Sequence, residues 1–229
     1  MRNEIISYME MCMRERQSLQ RGMNFGVGGT HSVLLMSVRP GAPYDDELVD
    51  CGSTLIYEGH DVAKSLQFPQ PKLFDQPERL PSGKLTENGK FHKAAQEFKR
   101  GQREPERVRV YEKIKAGIWS YNGVFHLIDS WKQNSGNRTV FKFKLIAVEG
   151  EEDFSKPASV SPIRGRLIPS SVKLQVWIRD GGKCRLCGSV EDLHFDHIIP
   201  YSRGGSSATT ENVQILCAKH NLEKSDRIL

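Results

Sequence analysis

Two matched knuckles, Cys184-x2-Cys187 and Cys217-x2-His220, separated by 29 residues, constrain this 229-residue chain more than any other feature. Three thiols and an imidazole are soft or borderline ligands that suit tetrahedral Zn²⁺. Such a site ties a short segment into a closed unit that needs little core of its own. The alternative is two unrelated cysteine pairs. A disulfide framework fits poorly, because the five cysteines are an odd number and the first residues lack the apolar core of an export signal.

Composition narrows the class further. The chain is 38% apolar and 27% charged, which is ordinary for a folded protein. No apolar run approaches the ~18 residues of a membrane span, so the expectation is a cytoplasmic protein without a membrane partner. The net charge of +5 permits nucleic-acid binding without requiring it. Residues 84–115 hold ten basic and five acidic side chains, which suits either a solvated face or a phosphate-facing one.

At ~150 residues per domain, the length allows one large domain or two small ones. A helix is expected over 4–19, with Asn3 as a candidate cap. Strands are expected at 31–38, 54–57, 108–111, 124–131 and 140–145, where Phe141, Phe143 and Leu145 share one face. A short helix is expected over 91–98. Strands outnumber helices, so residues 1–148 read as a mostly-β domain with a curved or barrel-like sheet. Residues 149–169 combine an acidic run with Ser-Pro and Ile-Pro steps and read as linker. Residues 170–229 form the second domain, opening on a helix through Arg179 that Ser170 or Ser171 caps and Gly181 or Gly182 stops.

Between the knuckles runs Asp196-His197-Ile-Ile-Pro200, then Gly204-Gly205, then Asn212-Val-Gln-Ile-Leu-Cys217. After them comes His220-Asn221-x2-Lys224. This set resembles the HNH nuclease family over residues 171–228. The resemblance implies a ββα-metal nuclease fold, with His197 as general base, Asp196 as a ligand of the catalytic metal and Asn212 holding the loop that carries the base. A neutral imidazole with an ordinary pKa near ~6.5 suits that role. His220 and Asn221 are adjacent, so on a helix they point ~100° apart and should not serve one metal. His220 therefore completes the zinc site, and Asn221 joins Asp196 at the catalytic metal. An Asp–Asn pair favours a hard cation, Mg²⁺ or Mn²⁺. Lys224 is a candidate phosphate contact or a solvated surface lysine, and His194 reads as structural.

Upstream, Ser32-Val-Leu-Leu-Met-Ser37, Tyr44-Asp-Asp46, Leu55-Ile-Tyr57, Tyr121-Asn122-Gly123 and Phe141-Lys-Phe-Lys-Leu145 resemble the SRA (YDG) family over about residues 22–148. The full expectation is an α+β chain, an SRA-like (PUA-like) β-barrel followed by an HNH module with a zinc knuckle. The resemblance implies a pocket that reads 5-methylcytosine flipped out of the duplex. Tyr44 and Tyr57 match the stacking tyrosines, and ordinary core aromatics are their bland alternative. Asp46 is the choice for the base-reading carboxylate, with Asp45 and Glu47 as alternatives. Arg39, beside them, is a candidate phosphate contact or a plain surface charge. The sequence departs from the family at Glu58, where Thr is frequent, and at Asn122, where the motif has Asp.

The combination is similar to the SRA–HNH modification-dependent restriction endonucleases. It implies cleavage of double-stranded DNA that contains 5-methylcytosine or 5-hydroxymethylcytosine. A methyl-sized group contributes ~0.8 kcal/mol on burial, about fourfold in affinity, and a shaped pocket reaches ~10–200-fold. One reader therefore discriminates leakily, and one HNH site cuts one strand, so a homodimer is expected. The competing readings are a methyl-DNA reader without catalysis and an HNH nuclease or nickase of another specificity.

Overall fold

The computed structural model describes residues 3–148 and 167–228. The expected linker lies outside the described residues except for 167–169. In chain order the regular elements are β1 (Glu4–Ser7), α1 (Tyr8–Glu15), β2 (Met23–Val27), β3 (His31–Met36), β4 (Glu47–Val49), β5 (Thr54–Glu58) and α2 (Glu87–Lys99). Then follow β6 (Glu106–Lys115), β7 (Ile118–Ser135), β8 (Arg138–Ala147), α3 (Ser170–Asp180), β9 (Leu193–His197), β10 (Val213–Cys217) and α4 (Ala218–Lys224).

The α+β class is as expected, but the strands form one open sheet rather than a closed barrel. β7 is its spine. β6 pairs along one edge of β7, while β1 and then β8 pair along the other, and β5 and β4 extend the sheet beyond β8. On the other side the order runs from β6 to β3 and β2, with β3 and β6 parallel. α2 covers one face, where Phe91, Ala94 and Ala95 pack with Leu34, Leu55, Phe125 and Phe143 in the main core.

The expected helix over 4–19 is corrected. Its first four residues are β1, where Ile6 sits opposite Trp119 of β7. The cap is Ser7, not Asn3: the Glu10 N–H donates to Ser7 Oγ (3.2 Å) and the Ser7 N–H to Glu10 Oε2 (2.8 Å). Arg16 ends the helix in the left-handed region at φ 53°. α2 starts four residues earlier than predicted because the Thr86 side chain accepts from the Gly89 N–H. α3 begins after Pro169, without a side-chain cap from either serine, and stops at Gly181 (φ 64°) as expected.

The sheet also crosses the expected domain boundary. β9 follows β1 in the strand order, with Glu4 opposite His194 and the Phe195 N–H donating to the Asn3 carbonyl at 3.0 Å. Ile114 of β6 is buried in the same cluster as Val172, Val176, Phe195 and Ile215. The nuclease-like segment is thus packed on the sheet.

Candidate functional site

β9, β10 and α4 build the C-terminal site. The hairpin register sets Asp196 opposite Gln214 and Cys217 opposite Leu193, so one strand pair supplies both a knuckle cysteine and the Asp–His dipeptide. The four knuckle ligand atoms lie within 4.8 Å of one another. His220 Nδ1 is 3.4 Å from Cys184 Sγ and 3.3 Å from Cys217 Sγ, and Cys187 Sγ is 3.9 Å from Cys217 Sγ. A zinc tetrahedron with ~2.3 Å Zn–S bonds has S–S edges of ~3.8 Å, so the donor set fits zinc. Burial opposes ionisation of Cys184, yet the N–H groups of Cys217, Cys187 and Leu186 bring its thiol down to about 6. It is ready to ligate.

Asp196 and His197 sit at the end of β9. His197 Nε2 meets Ser207 Oγ at 2.8 Å, which fixes the ring from the far end of the 198–207 loop. Burial lowers the pKa of His197, and the Lys224 charge lowers it further against the pull of Asp196. The net effect favours the neutral ring. Asn212 clamps the loop: its Oδ1 accepts from the Ile199 N–H (2.7 Å), and its Nδ2 donates to the carbonyls of Ile199 (3.0 Å) and Ser206 (2.9 Å). Gly205 is required by the close approach here, since a Cβ would lie 1.8 Å from the Ile199 carbonyl oxygen.

Lys224 is neither a solvated lysine nor an accessible phosphate contact. Its side chain is 1% exposed, and Nζ lies 3.2 Å from Asp196 Oδ2. Among the described residues that ammonium has no hydrogen-bond partner, so it faces the carboxylate as a counter-charge. Gln214 Nε2 donates to the same Asp196 oxygen at 3.2 Å. Asn221 is half-buried on α4, the helix that carries Lys224. A divalent cation held by the Asp196 carboxylate would replace the Lys224 charge there. His194 is buried on β9, consistent with its structural reading.

Tyr44, Asp46, Tyr57 and Arg39 meet around a single cavity of about 740 Å³, together with His60 and Trp119. The neighbours of Asp46 do not join it there. Asp45 has an 89% exposed side chain turned to Lys142, and Glu47 is exposed on β4. Asp46 accepts from two backbone N–H groups, Ser37 (3.0 Å) and Glu58 (3.0 Å). Burial nonetheless pushes its carboxyl up to about 7. Glu58, the departure from the family pattern, explains the loop's shape. Its carboxylate pairs with Arg138 (3.1 Å) and Lys142 (3.2 Å) and accepts from the Asp45 N–H. Arg39 Nε donates to Ser37 Oγ at 3.2 Å, beside the Asp46 anchor.

Residues 184–227 match the family model described as HNH endonuclease. The C-terminal module is an HNH endonuclease domain. The pocket-bearing sheet lies before it in the chain. No curated protein sequence matches it. Similar solved structures include the SUVH5 SRA complex with hemimethylated CG DNA (24% identity, TM-score 0.44, 63% of this chain and 86% of that one). Another is KRYPTONITE in complex with mCHG DNA and SAH (19%, TM-score 0.43, 66% and 32%). The modification-dependent TagI restriction endonuclease is similar over 97% of this chain and 76% of its own, at 18% identity and TM-score 0.38.

In the HNH module the sequence reading missed Ser207 and Gln214, which orient His197 and Asp196. The register of the hairpin, with Gln214 three residues before Cys217, was the available signal for the second. In the pocket it missed His60, for which residue type alone gave no signal.

Proposed function

We propose that the protein is a modification-dependent DNA endonuclease. The sheet domain flips and reads a modified cytosine, 5-methylcytosine or 5-hydroxymethylcytosine, and the HNH module hydrolyses a phosphodiester bond. The observation that carries this reading is the convergence of Tyr44, Asp46, Tyr57 and Arg39 on one cavity in a chain that also bears an HNH module. A flipped base needs flat faces to stack on and an acceptor for the cytosine amino group. The tyrosines and Asp46 supply both, and Arg39 supplies a charge for the phosphate beside the extruded nucleotide.

In the HNH module Asp196 and Asn221 would hold Mg²⁺ or Mn²⁺, and Cys184, Cys187, Cys217 and His220 would hold structural Zn²⁺. The bound catalytic cation supplies positive charge at the scissile phosphate. His197, kept neutral and aimed by Ser207, takes a proton from the attacking water. Asn212 holds the loop whose collapse would release that aim. In this reading residues 1–148 bind the modified double-stranded DNA and 170–229 cut it, with 149–169 as linker. Two copies acting together multiply two weak discriminations and cut both strands, so the working form is a homodimer. Restriction of foreign modified DNA in the cytoplasm is the corresponding role.

The intact His197–Asn212–Asp196 geometry favours this reading over a reader without catalysis. A His197→Ala protein should retain the parent's affinity for a 5-methylcytosine duplex and cut nothing. Normal cutting by that variant would remove His197 from the mechanism.

A further inference from the structure

The slot between the two pocket tyrosines is filled. The His60 imidazole stacks on Tyr44, with ring centroids 5.2 Å apart and planes 18° from parallel. The same imidazole is 6.3 Å from the Tyr57 ring, and its Nε2 lies 3.2 Å from the Tyr57 hydroxyl. Stacked aromatic pairs have centroids ~4.5–7 Å apart, so the imidazole sits where a base stacked on Tyr44 would lie.

We propose that His60 sets the entry threshold of this pocket: its imidazole is a resident ligand of the base slot, and a flipped base enters only by displacing it. The inference rests on the base-pocket reading above. Three observations support displacement by side-chain rotation. The His60 main chain is pinned, because its N–H donates to Asn88 Oδ1 (2.8 Å) and its carbonyl accepts from Asn88 Nδ2 (2.8 Å). The preceding residue has no slack, since a Cβ on Gly59 would fall 2.6 Å from Gln76 Oε1. The ring itself opens onto the cavity of about 740 Å³, which has room for it to turn into. Its present seat is made by Gly22, where a Cβ would lie 2.7 Å from His60 Nε2.

The consequence is quantitative. Displacing one stacked ring costs the same whichever base enters, so the imidazole lowers affinity for modified and unmodified DNA by one common factor. The ratio between them is set by the rest of the pocket. What His60 changes is the threshold: weakly held unmodified bases are kept out at working concentrations.

The test is fluorescence anisotropy with short duplexes of one sequence, bearing one 5-methylcytosine or none, with no catalytic metal added. Parent, His60→Ala, His60→Phe and Tyr44→Ala proteins are compared, with thermal unfolding to verify folding. His60→Ala should bind both duplexes more tightly by the same factor, about twofold to tenfold, the worth of one aromatic stack. His60→Phe, which keeps a stacked ring, should bind no more tightly than the parent. Weaker or unchanged binding by His60→Ala, while Tyr44→Ala still loses methylated DNA, would make His60 a fixed wall and overturn the proposal alone. Equal binding of both duplexes by the parent, unaffected by Tyr44→Ala, would overturn the pocket reading and this proposal with it.

Discussion

Lys173 donates a 2.9 Å hydrogen bond to Glu112, and both side chains are at most 1% exposed. The pair joins α3 to β6 of the sheet. Asn122 completes it, accepting from Lys173 Nζ (2.6 Å) and donating to Glu112 Oε2 (3.0 Å). This accounts for Asn at the middle of Tyr121-Asn122-Gly123. One buried cation balances one carboxylate, and an Asp at 122 would add a second anion and remove the donor to the first.

Lys173→Met should therefore destabilise the protein by about 3–5 kcal/mol, because Glu112 is left buried without its cation. Asn122→Asp should also destabilise, by about 1–3 kcal/mol, through the lost hydrogen bond and the unbalanced charge. Urea unfolding measures both. A change below about 0.5 kcal/mol in Lys173→Met would show that the two modules do not depend on this contact.

Removal of zinc should unfold the C-terminal module first. Cys184 and Cys217 are themselves members of the buried cluster that holds Phe195, Val213 and Ile215, so losing the metal loosens that cluster. Cys184→Ser should lose zinc, read by atomic absorption, and lose cleavage, while methylated-DNA binding by the sheet domain persists. Full zinc content in that variant would contradict the ligand assignment.

Asn212→Ala removes three hydrogen bonds from the 198–207 loop and leaves Ile199 and Ser206 unpartnered by that side chain. Cleavage should fall by about 10²-fold or more as His197 loses its aim, with DNA affinity unchanged. A variant that cuts at the parental rate would separate the clamp from catalysis.

Lys224 pairs with Asp196, so a cation bound there, as proposed, would have to replace its charge. Lys224→Met should bind Mn²⁺ more tightly than the parent, by about tenfold, since no ammonium competes for the carboxylate. Titration calorimetry on the zinc-loaded protein reads this directly. Weaker Mn²⁺ binding would mean that the ammonium supports the metal site rather than substituting for it.

Asp46 gives a pH signature. Its carboxyl is raised from 3.8 to about 7, so the folded state binds a proton that the unfolded chain has released. That contribution is fully present below pH ~4 and is lost as pH rises through ~7, to a limit of about 4 kcal/mol. Asp46→Asn cannot titrate, so the stability difference between parent and variant should shift steadily against the parent between these values. A constant difference across that range in urea unfolding would show that Asp46 is ionised throughout.

The knuckle was legible because four ligand types at fixed spacing leave few alternatives, and the structure brings Cys184, Cys187, Cys217 and His220 together as read. The pocket tyrosines and Asp46 were legible from short motifs, although Tyr44 and Tyr57 are 13 residues apart. What was hidden depends on distant partners. β1 is four residues long and owes its strand form to β7, more than 100 positions later, which no local periodicity encodes. Lys173 carries no local signal, and only the fold places Glu112 and Asn122 beside it. Lys224 read as either a phosphate contact or a solvated lysine, because its partner Asp196 lies on β9, far away in sequence. His60 was invisible because stacking against Tyr44 requires the turn that Asn88 pins.

The most direct test of the central claim is cleavage of one plasmid, prepared unmodified, 5-methylated and 5-hydroxymethylated at cytosine, by the zinc-loaded protein with Mg²⁺ or Mn²⁺. The account predicts double-strand cuts in modified plasmid and little or none in unmodified plasmid. Equal cutting of all three would retain the HNH nuclease and contradict the reading of modified cytosine.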